Sequence, residues 1–173
     1  MEWRELMVDG YDRLPDLMKA ALAGLRTADL DRQPHPDCNS IGWTAWHLTR
    51  VQDSQIAELM VEAQLWIKDG WCKKFERPAD PDDTGYGHSV AQVRAFRSPS
   101  IRIQLEYLRA VVERTKTYLA SHTPAELDRE LGVRIWLEWP LSMPAQLLSI
   151  NGRALSVTAA ASCRPAGQSG GVG

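Results

Sequence analysis

Phenylalanine is nearly missing from this 173-residue chain: two Phe stand against seven Trp. Cysteine is scarce too. Cys38, Cys72 and Cys163 are odd in number and show no C-x-x-C or zinc-ribbon spacing, which excludes a disulfide framework and reads as reduced thiols of a cytosolic protein. No run reaches 18 consecutive apolar residues, and the N-terminal MEWRELMVDGYDR carries acids from its second residue, so neither a membrane span nor an export signal is expected. An excess of one charge is also missing. Twenty Lys+Arg against 22 Asp+Glu leave a net charge of −2, no field to gather a phosphate backbone, and so no nucleic-acid partner. G-x-S-x-G, P-loop, G-x-G-x-x-G and H-E-x-x-H patterns do not occur, which removes the usual signatures of serine hydrolases, nucleotide binders and zincins.

What is present describes one helical domain. A hydrophobic share of 44% and a charged share of 24% are globular values, and a chain of this length buries about two-thirds of its unfolded surface. From Trp3 to Leu25 the apolar positions Leu6, Met7, Tyr11, Leu14, Leu17, Met18, Leu22 and Leu25 recur at spacings of three and four, which predicts an amphipathic helix. Pro15 inside it predicts a kink or a later start. A polar segment with two prolines ends at Asn39-Ser40, either of which can cap a second helix running from about Ile41 to about Lys68. Trp43, His47, Val51 and Gln55 follow one another at intervals of four on that helix, with Ile56, Leu59 and Leu65 extending the apolar side.

Residues 69–90 are rich in Pro, Asp and Gly, lack periodicity and read as a long connection. A third helix, with Ser98-Pro99 as its start, carries Leu105, Leu108, Val111, Val112, Thr115 and Leu119 along one side. Thr27-Ala-Asp-Leu-Asp-Arg after the first helix is echoed by Thr123-Pro-Ala-Glu-Leu-Asp-Arg after the third, which predicts two successive helical hairpins and hence a four-helix bundle. The fourth helix should begin near Pro144. It is poorly written: no acidic residue follows Glu138, Asn151-Gly152 favours a turn, and residues 165–173 read as a disordered tail to a domain of residues 1–164.

Four histidines, His35, His47, His88 and His122, include no pair at i,i+3 or i,i+4, so no single helix offers two imidazoles to a metal. By pattern alone His47, on a buried stripe, is more often a hydrogen-bonded core residue than a ligand. His88 lies in Gly85-Tyr86-Gly87-His88-Ser89. There the two glycines permit a positive-φ backbone that presents Tyr86 and His88 to a cleft; the plainer reading is a turn with Ser89 as N-cap of the next helix. Trp43 and Trp46 read as core aromatics that border a pocket. Cys38 reads as inert, and His35 and His122 receive no role.

The run Asn39-Ser-Ile-Gly-Trp-Thr-Ala-Trp-His-Leu-Thr-Arg-Val-Gln-Asp53 resembles the second-helix motif of the DinB-like superfamily. Its likeness is closest to the actinobacterial branch related to the mycothiol-dependent maleylpyruvate isomerase. Thr84-Gly-Tyr-Gly-His-Ser and Thr123-Pro-Ala-Glu-Leu-Asp-Arg match that branch as well, so the resemblance covers about residues 1–131. It implies an all-α, DinB-like four-helix bundle of the up-down-down-up type, here with its fourth helix shortened or irregular. It also implies that His47 is one of three ligands to a divalent metal, zinc or nickel, the other two lying i,i+4 on the fourth helix. Such a site activates a low-molecular-weight thiol of the mycothiol type. Trp43, Gln55, Tyr86 and His88 are then the candidate substrate-binding residues.

This chain departs from that pattern after Ile150-Asn151. No His, Asp or Glu follows Glu138, so both fourth-helix ligands are missing, and Gln55 stands where many relatives carry a second histidine. One imidazole holds a divalent metal only weakly, because ligand number dominates affinity. Two functions are therefore expected. One is an impaired metal-dependent thiol S-transferase or isomerase acting on a small-molecule thiol or electrophile; the other is a non-catalytic helical binding or dimerisation protein. Should residues 152–173 leave the stripe Trp43, Val51, Leu105 and Leu108 uncovered, a homodimer is expected. A shifted reading frame near codon 150 would explain the departure. Sequencing the coding region should then find an H-x-G-Q helix in the alternate frame, and its absence there refutes the shift.

Overall fold

The computed structural model of the chain describes residues 3–127, in which every regular element is an α-helix. The long ones are α1 (Trp3–Ala21), α3 (Ile41–Met60) and α7 (Ile101–Ser121). Short helices accompany them: α2 (Thr27–Leu30), α4 (Leu65–Lys68), α5 (Trp71–Lys74), α6 (Val90–Ala95) and α8 (Pro124–Leu127). Both α1 and α3 pack on α7. Arg4 donates to the His122 carbonyl at 2.9 Å and Lys116 reaches Asp12 at 2.6 Å, which sets α1 antiparallel to α7. The all-α class is thus found, while the expected fourth helix and the 165–173 tail lie outside the described residues.

Local chemistry sets most boundaries. Ser40 caps α3 by accepting from the Trp43 N–H at 3.2 Å, and Ser100 caps α7 by accepting from the Ile103 N–H at 3.3 Å. α1 begins at Trp3 rather than at Pro15 and continues through that proline, losing a single backbone bond there. The expected repeat is present: α2 and α8 are each four residues long and follow a long helix. Thr123 and Glu126 open α8 with a capping box, at 2.7 Å from the Thr123 N–H to Glu126 Oε2 and 3.3 Å from the Glu126 N–H to Thr123 Oγ1.

The second helix is shorter than its periodicity predicts, ending at Met60 instead of Lys68. The cause is a buried carboxylate. Asp53 accepts from the Leu65 N–H at 3.0 Å and the Trp66 N–H at 2.8 Å, so a side chain of α3 satisfies the first donors of α4. That pairing requires the chain to reverse between the two helices. Val61 makes the reversal in the left-handed region (φ +53°), its N–H still bonded to Glu58 at 3.1 Å. Leu65 falls in phase with the apolar side of α3, which is why spacing alone ran the two helices together.

The returning segment builds the core. Trp66, Trp71 and Phe75 from it meet Trp43 and Trp46 of α3, Phe96 after α6, and Tyr107 and Val111 of α7. The scarce phenylalanines are therefore both central. Of the stripe Trp43, Val51, Leu105 and Leu108, Trp43 and Leu108 are buried and Val51 and Leu105 half-buried, while residues 152–173, on which the homodimer expectation depends, lie outside the described residues. On α1 no residue is buried, and Leu6 and Leu17 are 59% and 50% exposed. An apolar groove of about 410 Å³ runs between α1 and α3, lined by Leu14, Leu17, Met18, Ile41 and Leu48 and floored by Leu108. Cys72 is free and buried and Cys38 is buried, while Cys163 lies outside the described residues.

Arg50 and Asp53 are both fully buried, with Arg50 Nη1 3.6 Å from Asp53 Oδ2. Asp53→Ala strands that guanidinium together with two helix-start N–H groups. It should cost about 3–5 kcal/mol, read as a large fall in the urea midpoint with no change in m-value.

Candidate functional site around His47

His47 lies at the middle of α3, half-buried, with its ring stacked on Trp43 at 4.7 Å between centroids and 21° between planes. Its Nδ1 is 2.6 Å from the Thr84 carbonyl oxygen. A carbonyl only accepts, so Nδ1 carries the proton and donates; in the neutral ring the lone pair then resides on Nε2. Nε2 makes no hydrogen bond to any described residue. Burial lowers the His47 pKa below its ordinary value, the Thr84 hydrogen bond acts in the opposite sense, and the nearby His88 adds a smaller downward push.

His88 is held differently. The Trp43 indole N–H donates to His88 Nδ1 at 3.1 Å, and His88 Nε2 is 3.0 Å from Asp83 Oδ1. An indole N–H only donates, so Nδ1 of His88 is the acceptor and its Nε2–H faces the carboxylate. Both nitrogens are thus engaged. Asp83 also pairs with Arg77 at 2.6 Å, and that guanidinium lies 4.9 Å from the Trp46 ring centroid.

Gly85 allows this segment to lie flat on the aromatic rings. Its φ is +89°, and a Cβ placed there would stand 2.8 Å from Trp46, 2.9 Å from His47 Nδ1 and 3.0 Å from Trp43. Gly87 is also left-handed, at φ +73°. The two sequence readings of Gly85–Ser89 both hold in part: His88 turns inward, and Ser89 caps α6 in a capping box with Gln92, accepting from the Gln92 N–H at 3.3 Å.

Beneath the loop sits Arg50. Its Nε donates to the Asp83 carbonyl at 3.2 Å and its Nη2 to the Pro81 carbonyl at 3.0 Å, while the guanidinium covers Trp66 at 4.7 Å from the ring centroid. Tyr107 donates to Asp53 Oδ2 at 2.8 Å. Burial, with the Asp53 charge beside it, pushes the Tyr107 phenol well above its ordinary range and keeps it a donor.

Of the residues expected at the site, the structure brings Trp43, His47 and His88 together. Tyr86, on the same loop, is 55% exposed. Gln55 is exposed two turns further along α3, and no hydrogen bond joins it to the cluster among the described residues. Sequence reasoning missed Arg50, Arg77, Asp83 and the Thr84 carbonyl. The only available signal was the Arg50/Asp53 spacing of three, which puts two charges on an otherwise apolar helix face.

The family model of the DinB superfamily matches residues 11–150. A crystal structure of a conserved protein from Enterococcus faecalis is similar at 27% identity and a TM-score of 0.66, covering 73% of this chain and 75% of that one. No curated protein matches the chain.

The depressed His47 pKa has a consequence for stability. In the unfolded chain the imidazole protonates near 6.5, whereas in the folded protein it protonates only at lower pH. The unfolded state therefore binds more protons between the two values, and stability falls as pH drops from about 6.5 toward the folded pKa. Urea midpoints of the metal-free protein measured at pH 7.5, 6.5 and 5.5 should show this slope, and His47→Gln should lose that part of it.

Proposed function

Because the chain belongs to the DinB superfamily, we propose that it carries the scaffold of a divalent-metal-dependent thiol S-transferase or isomerase. In this reading it belongs to the superfamily's actinobacterial branch and works in the cytoplasm on a small-molecule thiol, of the mycothiol type, or on an electrophile. Loss of the fourth-helix ligands impairs it. The observation that supports the reading is the state of His47. With Nδ1 committed to Thr84 at 2.6 Å and burial opposing the charged form, the ring is neutral and keeps its lone pair on Nε2. Metal-ligating histidines are prepared in this way, with one nitrogen oriented by a carbonyl and the other left as donor.

The donor set does not complete a metal site. Among the described residues no three His, Cys, Asp or Glu side chains converge, and none of His, Asp or Glu follows Glu138 in the sequence. Zinc or nickel is accordingly proposed as weakly held, and no reaction step is assigned to it. Trp43, Gln55, Tyr86 and His88 are the proposed substrate contacts; Gln55 and Tyr86 are the exposed members of that set.

A second reading has its own support. The polar atoms of the Trp43, Asp53 and His88 side chains are all bonded inside the protein. That is what a non-catalytic binding or dimerisation scaffold, working as a homodimer, would show. Metal analysis of protein purified without chelator separates the two, followed by titration with zinc or nickel. The enzymatic reading expects saturable metal binding that His47→Gln abolishes, together with binding of a low-molecular-weight thiol. Metal binding that is absent, or unchanged by His47→Gln, leaves the non-catalytic scaffold.

A further inference from the structure

The loop over His47 is organised from below by a side chain that makes no hydrogen bond to the imidazole. Arg50 is fully buried and spans two carbonyls of that loop, Pro81 at 3.0 Å and Asp83 at 3.2 Å. The very next carbonyl, Thr84, is the one that meets His47 Nδ1 at 2.6 Å. From above, Gly85 rests against Trp43, Trp46 and His47 with no room for a Cβ. The loop is therefore fixed in height over the ring at consecutive residues.

We propose that Arg50 is a positioning residue for His47: by holding the Pro81 and Asp83 carbonyls it keeps the Thr84 carbonyl against Nδ1, which fixes the imidazole as the Nδ1–H tautomer with its lone pair on Nε2. In water the histidine side chain favours the opposite, Nε2–H tautomer, so the loop reverses an intrinsic preference. A planar guanidinium can do this because its donors form a rigid fork able to reach two carbonyls at once, whereas an ammonium presents its three donors from one nitrogen without that fixed spread. The proposal deepens the reading of His47 as the functional imidazole and draws its significance from that reading. It concerns the metal-free ring, however, so it stands or falls separately from metal binding.

The test is long-range proton–nitrogen NMR on the full-length, nitrogen-15-labelled chain with chelator present, at a pH above the titration of His47. His47 signals are assigned by their loss in His47→Gln. The native protein should show a protonated Nδ1 and an unprotonated Nε2. Arg50→Lys retains the charge facing Asp53 but not the two-carbonyl grip, and should shift His47 toward the Nε2–H tautomer. Gly85→Ala, which forces the loop off the rings without altering Arg50, should do the same, and it decides the matter if Arg50→Lys does not fold. Thr84→Ala keeps the backbone carbonyl and should leave the native tautomer in place. An Nε2–H ring in the native protein overturns the proposal. So does a native tautomer in a folded Arg50→Lys variant or, where that variant does not fold, in folded Gly85→Ala.

Discussion

The buried ion pair of Arg50 and Asp53 is the constraint from which the rest of the described structure follows. Two charges with no exposure to water each need several partners, since desolvation outweighs the attraction of one imperfect pair. At 3.6 Å the two side chains do not satisfy each other. Asp53 finds its partners in the Leu65 and Trp66 N–H groups and the Tyr107 hydroxyl, and Arg50 in the Pro81 and Asp83 carbonyls. These partners come from two stretches of the segment between α3 and α7, and from α7 itself. Meeting the electrostatic demand of two residues three apart on one helix therefore folds that segment back onto α3. The aromatic core is the apolar side of the same closure, since Trp66, Trp71 and Phe75 arrive with it.

The site inherits its order from that closure. Once the loop is tied at Pro81 and Asp83, the Thr84 carbonyl and the flat face of Gly85 have few other places to lie, and both meet His47. His88 follows two residues after Tyr86 and completes a chain from Arg77 through Asp83 and His88 to Trp43, whose ring stacks on His47. Two histidines in one cluster thus have separate duties. His88 spends both nitrogens on the scaffold, and His47 spends one.

Features that depend on neighbours in sequence were readable from the chain. The Ser40 cap, the repeated short turn after α1 and after α7, the buried side of α7 and the Ser89 cap each rest on contacts a few residues apart. The positive φ of Gly85 and Gly87 was readable too, because only the residue type is needed to suggest it. What escaped was decided by partners far along the chain. The end of α3 is set by Asp53 reaching residues 12 and 13 positions away, and nothing in the apolar period near Leu65 reports it. Asp83 looked like one more acid in a Pro-Asp run, although it joins Arg77 to His88. Trp43 is covered by Gly85 of the loop, a contact with a residue far along the chain that no apolar period reports.

The parts that hold His47 and the parts that a metal site would still require are physically independent. The imidazole is oriented by Thr84, Gly85, Trp43 and the Arg50–Asp53 pair, all within residues 40–85, and each of these contacts is made by the chain's own groups. The ligands that the superfamily resemblance calls for lie elsewhere in the sequence, where this chain has none after Glu138. Removing them takes away affinity without taking away the energy that orders the loop. A chain can therefore lose the chemistry and keep the geometry, which is why family membership and an intact His47 environment together still do not amount to a reaction.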